Sequence, residues 1–309
     1  MGRLLGCVLL LLCGACGSKE AGAPDKPAAD RPARIALGKM PCGVVATPTK
    51  VWVSNLGDGT VQSINPSTGK ASATTKVGSQ PCGLAIGAGS LWVENYGSDD
   101  VTRIDEATGK VQATVAVGGQ PYDVAFSDGA AWVTDWADGT VSRIDATTNK
   151  RTVIETGGSP TGIAPSAGKL WVPLGGKAEV VSIDARSSAV EKRIAVPSTA
   201  TWTAYDDRSV WVSLRDAGQV VRIDTGTGAI VATMELDGVP QDGSVLGDAV
   251  WVPTKDGKVF RLGVSDNQVS GPWPTKVGNP FVLAASADTL WLPDFAGTAL
   301  TRVPVTSLR

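Results

Sequence analysis

The chain has 309 residues, of which 42% are apolar and 37 are glycine, with 28 Lys plus Arg against 30 Asp plus Glu and no histidine. That composition suits a globular, turn-rich protein and excludes disorder except locally. Without any run of Lys or Arg it also excludes nucleic acid as a partner.

The first residues, MGRLLGCVLLLLCGACGSKE, carry a basic Arg3, an apolar run from Leu4 to Cys13, and the small pair Gly14 and Ala15 ahead of Cys16. The run falls short of the roughly 20 residues that span a bilayer. Its order resembles the lipobox of bacterial lipoproteins, with Cys13 where that motif usually has leucine. The resemblance implies a signal peptide over residues 1–15, cleavage before Cys16 and acylation of its thiol, so that the membrane is met through a lipid anchor only. An ordinary secretory leader cut nearby is the alternative. Removing the leader takes Arg3 with it and changes the net charge from −2 to −3. Residues 16–31 contain no large apolar side chain after Cys16 and read as a flexible tether, because such a segment cannot bury a core.

From residue 32 to 309 one unit recurs. Trp52, Trp92, Trp132, Trp171, Trp211, Trp251 and Trp291 each sit in an apolar-Trp-apolar triplet, spaced 40, 40, 39, 40, 40 and 40 residues apart. Eleven residues before the tryptophan stands a proline at 41, 81, 121, 160, 240 and 280, with Ala200 the exception. Segments such as VWVS, TVQSI, DVTRI and KVQATV are short and rich in β-branched residues, so they read as strands, four per repeat. NPSTGK, DEATGK, DATTNK and DTGTGA read as hairpin turns in which Gly or Asn takes positive φ. Four strands in about 40 residues, seven times over, define an all-β, seven-bladed β-propeller. The seventh copy ends after its third strand, and ARIALGKMP before the first copy matches the fourth-strand segment ATVAVGGQP. An N-terminal strand around Arg34 to Leu37 is therefore expected to close the last blade.

The recurring WVxN or WVxD, then VxRID, TGK and VGxxPxG, resembles the YVTN-type β-propeller repeat proteins of bacteria over residues 32–309. The resemblance implies a scaffold with many roles, so it speaks for the fold and not for an activity. The seven repeat tryptophans then pack between blades.

Positions that vary at a fixed place in this frame are the candidate site. In a propeller the loop from second to third strand and the loop between blades lie on one face. Asn95, Tyr96, Tyr122, Asp123, Asp135 and Trp136 are expected to cluster at the channel mouth over blades 2 and 3, with Gln241, Asp242, Phe281, Asp294 and Phe295 across blades 6 and 7. Asn55, Asn95 and Asp135 have a second reading, as residues that open a loop by bonding their own backbone. Trp136 has one as well, as a cap folded over blade 3. Aromatic rings beside carboxylates fit a basic peptide or an amino sugar.

Without histidine the chain lacks Ser-His-Asp and Cys-His catalysis and His-ligated metals. That weighs against a lyase-like propeller enzyme of the streptogramin lyase kind, whose catalysis depends on histidines. The DxATGK turn also occurs in quinoprotein-like oxidoreductases, but those repeats follow it with a tryptophan and this chain continues KVQATV. No metal or cofactor is expected. Cys42 and Cys82 occupy equivalent positions in adjacent innermost strands, which leaves a disulfide, two free thiols or a soft-metal site open. The reading is a monomeric, lipid-anchored extracytoplasmic binding protein whose partner is an envelope protein, peptide or polymer.

Overall fold

The computed structural model describes residues 32–308. The expected signal peptide, Cys16 and the expected tether lie outside the described residues. Seven antiparallel sheets follow one another around a central channel, each laid down from the axis outward. Blade 3 shows the pattern: Pro121–Ser127, Ala130–Asp135, Thr140–Asp145 and Arg151–Glu155. In blade 4 the innermost strand is split into Ser159–Pro160 and Ala164–Ser166, both paired with Lys169–Gly175. Blades 6 and 7 keep innermost strands of three residues, Ser244–Leu246 and Ala284–Ser286. Among the described residues no helix is long and apolar enough to cross a membrane.

The repeat motif has a physical reading at each letter. The tryptophan of the second strand is buried and packs on the following blade: Trp132 contacts the group containing Leu170, Val172 and Ile183 of blade 4. Opposite it in register stands the arginine of VxRID, as in Trp92 with Arg103, Trp132 with Arg143 and Trp211 with Arg222. Each guanidinium lies over its indole ring, at 4.8, 5.5 and 5.0 Å from the ring centre, a cation–π pair that also covers the ring. Arg103 and Arg222 reach on to the carbonyls of Ala146 and Val264 in the next blade. In the hairpin between third and fourth strands, Asp105, Asp145, Asp184 and Asp224 accept bonds from a Thr or Ser three residues later. These bonds hold the four exposed carboxyls below the usual Asp range.

Ala33–Ala36 lies antiparallel along Ala299–Pro304 as the fourth strand of blade 7, with Ala33 facing Arg302 and Ala36 facing Ala299. Arg34 bonds Asp294 at 2.7 Å beside this pairing. The core is therefore a ring of inter-blade layers around a channel, and the innermost strands decide what the channel contains.

Candidate functional site

In blades 1 to 3 the innermost strand begins with the repeat proline, whose partner is the last residue of the second strand, as in Pro81 with Asn95 and Pro121 with Asp135. The register then slips by a bulge before pairing resumes at Leu84, Asp123 or Thr203. A bulge re-aims side chains, and here it delivers the residues one and two places after the proline to the channel. In blades 1 and 2 these include Cys42 and Cys82, which are disulfide-bonded with Cα atoms 5.1 Å apart. Gly43 follows because a Cβ there would sit 1.9 Å from the Cys82 carbonyl oxygen.

In blades 3, 5 and 7 the same places bring rings. Tyr122 stacks on Trp202 at 5.2 Å, Trp202 meets Phe281 edge-on at 5.2 Å, and Phe281 stacks on Phe295 at 5.4 Å. Blades 3, 5 and 7 can only meet through the axis, so these four rings form a belt across one end of the channel. Trp202 is 8% exposed. Tyr96 and the Arg215 guanidinium stand within electrostatic reach of the Tyr122 hydroxyl, whose pKa is raised by burial against the pull of Arg215. Trp136 is 39% exposed, and its Nε1 lies 3.7 Å from where a Cβ on Gly175 of blade 4 would be.

Several expected mouth residues are elsewhere. Asn95 is fully buried and donates to Asp100 and Thr102 of its own third strand at 2.7 and 2.9 Å. Asp135 is fully buried too, accepting from Thr140 and Ser142 at 2.9 and 2.6 Å with Arg151 3.5 Å away. Desolvation raises its pKa against those bonds. Both residues knit second strand to third, which corrects their placement at a binding face. Gln241 is buried, its backbone amide bonded to Pro253 and its carbonyl to Ser213, and Asp294 is committed to Arg34. Tyr96, Tyr122, Phe281 and Trp136 do share the aromatic end. Trp202, a ring off the repeat tryptophan position of blade 5, joins the two expected clusters into one, and sequence reasoning left it out.

Asp123 and Asp242 face the other way. Both line a cavity of about 600 Å³ that runs along the axis below the belt to the hairpin residues Thr47 and Tyr205 at the opposite face. Asp123 accepts from the amides of Val124 at 2.8 Å and Ile163 at 3.0 Å. Burial nevertheless pushes its carboxyl up to about 7. Burial, reinforced by the charge of Asp123, raises Asp242 well above the ordinary range, against backbone bonds from Gly243 and Thr203. Glu94, fully buried behind Gly83, is also raised, first by burial. Its Oε1 accepts from Gly83 at 2.6 Å while Oε2 has no partner. Other blades place Ser54, Thr134 or Ser213 at this position to bond the next blade's carbonyl. A lone acid in that series was the legible signal. Among the described residues no three His, Cys, Asp or Glu side chains are grouped to hold a metal ion.

A ring of seven antiparallel blades with a varied channel lining makes this a β-propeller of the repeat type. More narrowly, the chain belongs to the YNCE-like β-propeller family, whose sequence pattern matches residues 21–178. No curated protein matches it in sequence. Among solved structures it is similar to virginiamycin B lyase from Staphylococcus aureus, at 19% identity and a TM-score of 0.76 over 88% of this chain and 98% of that one. It is similar to Kuenenia stuttgartiensis hydrazine synthase, at 17% identity and 0.76 over 93% and 99%, and to the WD40 β-propeller domain of Doa1, at 13% and 0.74 over 87% and 95%. At these identities the likeness is one of fold.

Proposed function

We propose that the protein is an extracytoplasmic, non-enzymatic binding propeller, anchored to a bacterial membrane through an acylated Cys16, that presents its aromatic channel end to an envelope protein, peptide or polymer. The observation that carries this reading is the ring belt Tyr122, Trp202, Phe281 and Phe295 with Trp136 exposed beside it. An indole left in water at a loop position costs apolar exposure unless something covers it.

The chemistry of that end differs from the sequence expectation. Asp123 and Asp135, which carried the preference for basic peptides and amino sugars, are not on it, and Arg215 is near. The ligand this end suits has a ring or apolar face and no excess positive charge, as a neutral glycan or an apolar peptide segment does. The test uses the full-length protein as bait in envelope extract, beside a Tyr122→Ala/Trp136→Ala variant. Loss of specific capture by the variant is the expected result, and an unchanged bait profile would sink the reading. Recovery of Cys16→Ser entirely in the membrane fraction would remove the anchor.

A further inference from the structure

The aromatic end carries donors as well as rings. In the loops from second to third strand of blades 2, 3, 5 and 6 one backbone bond recurs, from Tyr96 to Gln80, Trp136 to Gln120, Arg215 to Thr199 and Lys255 to Val239, at 3.2, 3.2, 3.0 and 3.0 Å. The four side chains therefore leave equivalent places on one face, aromatic on blades 2 and 3 and cationic on blades 5 and 6. Arg215 follows Leu214, whose register partner Ala200 stands two residues before Trp202, and Tyr122 is stacked on Trp202. Tyr122 thus bridges the two halves, with Arg215 and Tyr96 both within electrostatic reach of its hydroxyl.

Among the described residues the Tyr96 and Tyr122 hydroxyls, the Arg215 guanidinium and the Lys255 ammonium take part in no hydrogen bond or ion pair. A half-buried phenol ordinarily finds a partner, and two unpaired cations on adjacent blades favour an anion at the mouth. The acids flanking these side chains are already committed: Asp99 to the Gln120 amide, Asp138 to the Gly119 amide, Asp216 to the Thr199 hydroxyl and Asp256 to Lys258. Asp123 and Glu94 also lie within electrostatic reach of Tyr122, and burial makes both reluctant to ionise.

Resting on the reading of this end as a binding face, we propose that its partner is an acidic glycan. One uronic acid carboxylate is held by Arg215 with the Tyr122 and Tyr96 hydroxyls, the next along the chain faces Lys255, and the sugar faces lie against Trp136, which is 39% exposed. A guanidinium matches a carboxylate with two parallel bonds. Rings take the apolar C–H face of a pyranose, and phenol hydroxyls donate to or accept from its hydroxyl rim. In such a polymer every carboxylate rides on a ring, so charge and flat face recur together, as cations and rings do around this mouth. An acidic peptide brings the carboxylates without the flat face.

The experiment is calorimetric titration of the full-length protein, at constant pH and ionic strength, with a hexamer of galacturonic acid, its methyl ester and hexaglutamate. The ester keeps the sugar faces and removes the charge, whereas the peptide keeps the charge and removes the sugar. Saturable binding of the acid hexamer, at least about tenfold tighter than either control, is the expected result. Arg215→Gln should weaken the acid hexamer about tenfold and Lys255→Gln about threefold, with the ester unchanged by both. Acid and ester of equal affinity, or acid binding untouched by Arg215→Gln, overturns the proposal. Tighter binding of hexaglutamate overturns it in favour of an acidic peptide. Both cations are exposed, so neither variant endangers folding. Ester binding that Tyr122→Ala/Trp136→Ala abolishes keeps the aromatic end as a binding face even then, whereas failure of all three probes beside an unchanged bait profile takes both readings down.

Discussion

The two ends of the channel are built from the same strands and differ in almost every property. At one end the side chains just after the repeat prolines meet as rings and a disulfide and close the axis. At the other the same strands, two to five residues on, leave an open cavity lined by two acids and by no Lys or Arg. Where one strand contributes both Tyr122 and Asp123, adjacent residues serve opposite ends. The ladder lapses between Pro121 and Asp123, and the bulge re-aims the side chains there. Closure by apolar packing favours one rigid arrangement, whereas an acid-lined void carries an electrostatic cost until something enters it.

The contrast is sharpest in stability measurements. Trp202→Ala removes the ring that joins Tyr122 to Phe281 and should lower stability by about 3–5 kcal/mol in urea unfolding. A loss below about 1 kcal/mol would mean the belt is merely adjacency. Cys82→Ser opens the closure on the side where no ring reaches. With a sequence separation of 40 between the bonded cysteines, loss of that constraint should cost about 2–4 kcal/mol, and a melting temperature unchanged by reduction would argue against it.

The acid end behaves with the opposite sign. Asp123 titrates at about 7 in the folded chain and near ~3.9 when unfolded. Between those values the native state holds a proton that the unfolded state has lost. Its contribution is therefore fully favourable below pH ~4 and is lost as pH rises to about 7. Asp123→Asn should flatten this part of the profile and gain on the parent at pH 8, on the order of 2 kcal/mol once the water in the cavity is allowed for. Parallel stability profiles for the two proteins across pH 4–8 would show that Asp123 bears no such burden. Trp136→Ala should change stability least, by under about 1 kcal/mol, while abolishing partner capture. A loss of several kcal/mol would return Trp136 to a structural cap.

The blade count, turns and inter-blade tryptophans were legible because a repeat states each rule seven times. The site was legible only in part. Tyr122, Phe281 and Trp136 stood out as rings at variable places, but which rings touch depends on pairs of blades that only the closed circle brings together. Asn95 and Asp135 were misread because Asx residues at the end of a strand look like loop openers. Here the partner lies seven residues on, at Thr102 and Ser142, across the hairpin. The direction of Asp123 could not be read at all, since period-2 reasoning stops at a bulge.

The pairing of Ala33–Ala36 with Ala299–Pro304 sets an order of events as well as a shape. The first strand of the ring to be synthesised waits for nearly the last, so the circle cannot shut while the chain is still emerging. Blades 1 to 6 each contain all their strands in sequence and can form as local meanders, whereas blade 7 is a long-range contact of the kind that slows folding. Until Arg302 arrives, the strand near Arg34 and the inter-blade face of Val51, Val53 and Ile64 that packs against blade 7 have no cover. The growing chain therefore carries a sticky front edge for the whole of its synthesis, and a holding factor that shields this edge would raise the yield of closed rings.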